Sequence, residues 1–315
     1  MSTAAPIFSE LEHYRSLDFF ARQVVEGFVT GLHKSPFHGF SVEFAEHRQY
    51  NAGESTRNID WKLYARTDRL YVKNYEEETN LRCQVIIDQS NSMLFPLEGH
   101  GDLHHPNKFT FSIYGAALLV ELLARQRDAF GLTLLSDGID MQTECRSNSQ
   151  HRRYIMGLLE EALARPLDER RRTTQTTSLA ESLHLTAERL HRRSLVVIFT
   201  DALVGNDEEV AIFDALRHLR HCKHEVLLFH TLDKNLELDF DYGNRPTEFI
   251  DLETGRRLKV QPASVAESYR NATTLHTEQL KEQAIQNHID YQAVDVGQGF
   301  DNVMLPFLLK RGRHH

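Results

Sequence analysis

Short apolar runs, each followed by residues at helical spacing, constrain this chain more than any other feature. CQVIID (83–88), DAFGLTLL (128–135), LVVIFTD (195–201), EVLLFHTL (225–232) and YQAVDV (291–296) are the length of strands and too short for buried helices. Helical stretches separate them at about 107–127, where AALLVELLA forms the core face, and at 150–164, 178–192, 208–221 and 263–287. A strand apolar on both faces lies between two layers, and strands alternating with helices make βαβ units. The expected fold is α/β: a doubly wound, mostly parallel sheet flanked by helices, with right-handed crossovers. Asp137-Gly138 predicts a turn into an edge strand at 139–145, and FIDLETGRRLKV predicts a hairpin turning at Thr254-Gly255. A short helix is expected at the end of the chain.

The first 80 residues differ in character. Leu11, Tyr14, Leu17, Phe20 and Val24 predict a helix over about 8–33. A polar segment follows, with two strand-like stretches at 59–65 and 70–75 around the turn-like RTDR. This gives a division into an N-terminal helix-plus-hairpin subdomain, 1–80, and a main domain, 81–315.

No apolar run approaches the roughly 20 residues that span a bilayer. The polar start MSTAAPIFSELEHYRS lacks the pattern of a signal peptide. Cys83, Cys145 and Cys222 are odd in number and far apart, as expected of reduced thiols in a cytoplasm. A net charge of −9 disfavours nucleic acid as a partner.

Two of the buried strands end in aspartate, Asp88 and Asp201. Ligands of open α/β sheets bind beyond the carboxyl ends of the strands, where strand order reverses. If these two strands are neighbours, both carboxylates meet at one rim. Ser90 and Ser92 follow Asp88 at alternate positions, so one carboxylate and two hydroxyls can converge. Such hard oxygen donors suit Mg²⁺, Mn²⁺ or Ca²⁺ rather than zinc. Taken alone, D-x-S-x-S serves an ordinary strand-to-helix cap as readily as a metal loop. The second strand-end aspartate and the Thr-rich run TTQTTS favour the metal.

Asp88-Gln89-Ser90-Asn91-Ser92 resembles the metal-ion-dependent adhesion site of von Willebrand factor A domains. The upstream EFAEHRQYNAGESTRNIDWKLYARTDRLYVKNYEEE and the terminal YQAVDVGQGFDNVMLPFLLKR resemble the bacterial "domain of unknown function 58" family, which joins such a segment to an A-like domain. The likeness implies a von Willebrand factor A-like fold with Asp88, Ser90 and Ser92 in the first metal loop. It implies Thr177 in the second loop and Asp201 in the third, reaching the metal through water. The second loop lacks the common Gly-Gly, so Thr176 or Thr174 can substitute for Thr177, and Ala202 replaces the glycine that usually follows the aspartate. The implied function is a non-enzymatic, metal-dependent binding module in which an acidic residue of a protein partner completes the cation's shell. The resemblance also suggests a MoxR-type AAA+ ATPase as partner, in protein maturation or assembly.

Two other functions are open to the sequence: a metal-dependent hydrolase (phosphatase or nuclease) using Asp88 and Asp201, and a scaffold with a vestigial site. Against the hydrolase, there is no second carboxylate two residues after Asp88, no nucleophile elbow and no phosphate loop. His218, His221, Cys222 and His224 cluster, and His218 and Cys222 are one turn apart, a spacing that could hold zinc, but no second ligand pair follows, and cations at a helix C-terminus are the favoured reading. His100, His104 and His105 are expected in a solvated loop. Arg57, Asp60, Trp61 and Arg66 are expected to hold a hairpin around a buried Trp, and Glu76, Glu77 and Glu78 to face solvent.

Overall fold

The computed structural model describes residues 16–29, 44–49, 61–68, 70–75, 81–97, 101–103, 105–136, 138–166, 179–202 and 206–298. Two compact units result, one of Phe37–Leu81 and one of Met1–Pro36 with Arg82–His315.

In chain order the elements begin with α1 (Leu17–Val29), β1 (Phe44–Gln49), α2 (Trp61–Thr67), β2 (Tyr71–Tyr75) and β3 (Arg82–Asp88). Then come α3 (Lys108–Arg125), β4 (Ala129–Leu135), β5 (Ile139–Gln142), α4 (Ser149–Ala164), α5 (Leu179–Arg189) and β6 (Leu195–Thr200). The rest are α6 (Asn206–His221), β7 (Glu225–Leu232), β8 (Thr247–Ile250), β9 (Arg257–Val260), α7 (Pro262–Gln286) and β10 (Asp290–Asp295).

The smaller unit is an antiparallel pair, β1 with β2, and helix α2. Residues expected as a strand at 59–65 are instead largely α2. Trp61, Leu63, Tyr64 and Ala65 suit a helix, Trp61 and Tyr64 lie three apart as helical neighbours with ring centroids 6.2 Å apart, and Thr67 Oγ1 donates back to the Leu63 carbonyl. The partner of β2 is therefore β1, Phe44–Gln49, rather than residues 59–65. Trp61 is 59% exposed and Arg66 is exposed, so the expected buried Trp is not found. Arg57, Asp60 and Glu76–Glu78 lie outside the described residues.

The larger unit is α/β, with a six-stranded sheet in the order β10-β7-β6-β3-β4-β5. All pairs are parallel except β4–β5, where β5 runs back as an antiparallel edge. Strands β3, β4, β6 and β7 are buried along nearly their whole length, which is why they read as unbroken apolar runs. Helices α5, α6 and α7 cover one face, packing Leu183, Ile212, Leu216 and Leu280 on Ile86, Val196, Ile198 and Leu228. Helix α3, buried nearly all round, lies against β3, β4 and β7.

Helix α1 belongs to this unit and packs on α3 and α4. Phe20 meets Tyr114 edge-on, with centroids 4.8 Å apart. Arg152 of α4 binds Asp18 of α1 and Glu121 of α3, and Arg125 binds both Glu121 and Glu26. The division expected at residue 80 therefore differs in one respect: the N-terminal helix goes with the sheet, because its apolar stripe and its charges find partners there. The terminal helix expected from the sequence lies outside the described residues. Among those described, no helix is long and apolar enough to cross a membrane.

Candidate functional site

Strands β3 and β6 are adjacent and parallel, with Ile87 beside Phe199, so their carboxyl ends share one rim. From β3 the chain goes on to β4 on one side, and from β6 to β7 on the other. Asp88 and Asp201 thus stand at the reversal of strand order.

Asp88 closes β3 and is buried. Its Oδ1 accepts from the Ser90 N–H at 2.8 Å and its Oδ2 from the Thr200 hydroxyl at 2.7 Å. Burial, reinforced by the charge of Asp201, pushes its carboxyl up to about 6 despite those hydrogen bonds. Ser90 precedes a short 3₁₀ turn, Asn91–Leu94, yet its side chain makes no capping bond to it. Its hydroxyl lies instead 3.2 Å from that of Ser92. The two serine hydroxyls therefore lie together, within hydrogen-bonding reach of each other.

Asp201 is 3% exposed, and its Oδ2 lies 2.8 Å from Lys108 Nζ. The next residue, Ala202, has φ +48°, in the left-handed region that favours glycine, and its N–H donates to Thr200 Oγ1. The departure from glycine noted in the sequence thus falls where the backbone is strained. Thr177, with Thr174 and Thr176, lies outside the described residues.

Three groups at this rim were not found from the sequence. Lys108, fully buried at the first turn of α3, binds Glu237 at 2.6 Å as well as Asp201. Burial would depress its ammonium, but the two carboxylates more than offset that and hold it above the ordinary lysine value. A cation at the positive end of a helix is a signal available in HPNKFTFSIYGAALL, since it demands a counter-charge. Glu237 is oriented by the Asp233 N–H, 2.7 Å from its other oxygen. Glu253, at the tip of the β8–β9 hairpin, accepts from the Ser92 N–H at 2.7 Å. Burial and the charge of Asp201 raise its carboxyl as well.

The rim thus carries Asp88, Asp201, Glu237 and Glu253, of which Asp201 and Glu237 pair with the Lys108 ammonium, an excess of negative charge beside two hydroxyls that lie together. That donor set fits a hard divalent cation. Among the described residues, no group of three or more His, Cys, Asp or Glu side chains is close enough to hold a metal by itself. Any cation here would rest on serine oxygens as much as on carboxylates. His218 pairs with His184, ring nitrogens 3.0 Å apart, rather than with Cys222. His105 is exposed beside Asp102, while His100 and His104 lie outside the described residues. The three cysteines are free thiols.

Residues 46–279 match the family described as protein of unknown function DUF58, which is more than half of the chain. The chain belongs to that family. Uncharacterized proteins of Mycobacterium tuberculosis and Mycobacterium bovis are 24% identical over 265 residues, covering 83% of this chain and 77% of each relative. Among solved structures, the conserved hypothetical protein BatB of Bacteroides thetaiotaomicron aligns over 74% of this chain and 99% of its own, with 14% identity and a TM-score of 0.45. An aerotolerance-related membrane protein of Bacteroides fragilis aligns over 75% of this chain and 100% of its own, with 15% identity and a TM-score of 0.40.

Proposed function

We propose that this chain is a von Willebrand factor A-like, metal-dependent protein-binding module rather than an enzyme. In this reading Asp88, Ser90 and Ser92 hold Mg²⁺ (or Mn²⁺ or Ca²⁺), with Asp201 behind a water and Thr177 contributed by the second loop. The observation that carries it is the pair of hydroxyls on Ser90 and Ser92, turned together beside buried Asp88 instead of capping the turn they begin. The charge excess at the rim supports it too. A bound cation would supply positive charge for an acidic side chain of a partner, so that binding follows the metal. Asp88 is held in place by Thr200 and the Ser90 N–H, and Asp201 by the Lys108 ammonium. The partner proposed is a MoxR-type AAA+ ATPase, acting with this chain in protein maturation or assembly.

A hydrolase using Asp88 and Asp201 has less support. Both carboxylates are buried, one tied by two hydrogen bonds and the other by an ammonium, which suits positioning more than attack on a substrate.

The test is capture of the MoxR-type ATPase from the same genome on immobilised protein, with and without EDTA, and on Asp88→Ala. Retention should need both the metal and Asp88. Retention unaffected by either change overturns the reading.

A further inference from the structure

The hairpin β8–β9 belongs to neither face of the main sheet; it is a separate two-stranded sheet. Its tip is rigidly made. Asp251 Oδ1 accepts from the N–H groups of Glu253 (2.9 Å) and Thr254 (3.3 Å), its Oδ2 accepts from the Thr254 hydroxyl, and Gly255 turns the chain at φ +69°. This tip presents Glu253 to the N–H of Ser92, 161 residues away in the chain. A carboxylate seated on the backbone of Ser92 stands beside the hydroxyl of the same residue, where the reading above places a cation. It also adds a carboxylate to a rim already rich in them, which a cation would relieve.

The hairpin is anchored through one aromatic side chain: Phe249 stacks on Phe240, centroids 5.4 Å apart, and meets Tyr242 edge-on at 4.8 Å. Between it and the rest of the unit lies a cavity of about 550 Å³, lined by Phe95, Phe240, Phe249, Leu258, Val265 and Tyr269 among others. Ile250 and Leu258 are exposed. An element held by one aromatic contact beside a cavity, with its other large apolar side chains exposed, is displaced at lower cost than one set in a close-packed core.

We propose that Glu253 is an internal carboxylate ligand of the cation at Ser92, occupying the place of a partner's acidic side chain, and that the β8–β9 hairpin is a displaceable cap on the site. This rests on the metal-binding reading. It means that the isolated chain is self-satisfied, and that a partner binds by exchanging its own carboxylate for Glu253. The bland alternative is that Glu253 merely caps the short turn after Ser90.

Mn²⁺ titrations of the full chain separate these readings, followed by calorimetry and by water-proton relaxation, which reports the water bound to Mn²⁺. Glu253→Ala should weaken Mn²⁺ binding roughly tenfold and add metal-bound water. Millimolar acetate should restore affinity to that variant and leave the wild-type chain unchanged. Glu253→Gln, which keeps an acceptor for the Ser92 N–H, should also lose affinity. Equal affinity and hydration in wild type and Glu253→Ala overturn the inference while the site reading stands. Loss of affinity without added water and without acetate rescue marks a structural cap and also overturns it. No Mn²⁺ binding by the wild-type chain overturns the site reading, and this inference with it.

Discussion

Lys108→Met tests the electrostatic design of the rim directly. Methionine fills much the same space as the lysine stem, so the change removes an ammonium and little packing. Lys108 is fully buried, and its partners Asp201 and Glu237 have side chains only 3% and 13% exposed. Removing one partner of a buried ion pair typically costs about 3–5 kcal/mol, because the charges left behind have neither water nor a counter-ion. Glu237, whose carboxyl burial already raises, can take up a proton and relieve part of this, so a loss of about 3 kcal/mol at neutral pH is expected. The unfavourable helix dipole at Lys108 returns only ~0.3–1 kcal/mol of that loss.

The assay is urea unfolding in EDTA, read as a shift of midpoint at constant slope. The double variant Lys108→Met/Glu237→Gln should cost less than the sum of the single changes, by roughly 0.5–3 kcal/mol, because both remove the same contact. Divalent cation should stabilise Lys108→Met more than wild type, since the variant's rim carries more unbalanced negative charge; at a hundred times Kd the stabilisation is about 2.7 kcal/mol. A loss below about 1 kcal/mol, which is the scale of an exposed pair, or strict additivity in the double variant, would refute the reasoning.

Other outcomes follow from single positions. Ala202→Gly relieves left-handed strain of about 1–2 kcal/mol, less the entropy of a new glycine, and should raise the thermal midpoint by the equivalent of ~0.5–1 kcal/mol; a lower midpoint contradicts the strain. Gly131→Ala should destabilise by roughly 1–3 kcal/mol in denaturant titrations, because a Cβ there would lie 2.4 Å from Gln84 Oε1 and 2.9 Å from the Thr143 carbonyl; a neutral result means that the buried Gln84–Thr133 pair moves aside freely. Burial holds the His224 imidazole below its ordinary 6.5, so the fold favours its neutral form. That contribution is complete above about pH 6.5 and is lost as pH falls through the lowered value. The thermal midpoint should therefore drop less on acidification in His224→Asn than in wild type, and equal slopes would remove His224 from the account.

The α/β class and nearly every element of the larger unit were legible from residues 81 onward. A strand buried on both faces must be apolar throughout, and a helix on its surface must be apolar every three to four residues, whatever its neighbours are. The rim residues Asp88 and Asp201 were legible for a related reason: carboxylates at the ends of buried strands come together once those strands pair. The N-terminal region resisted because WKLYART suits a strand or a helix about equally, and only its surroundings select one. Whether helix α1 joins the larger unit depends on Arg152 and Tyr114, far away in the chain.

Tertiary structure alone decided which further charges join Asp88 and Asp201 at the site. Lys108 meets Asp201 across 93 residues and Glu237 across 129, and Glu253 reaches Ser92 across 161. No local spacing encodes such pairs. A buried charge specifies only that some opposite charge must be near, and the path of the chain determines which one arrives.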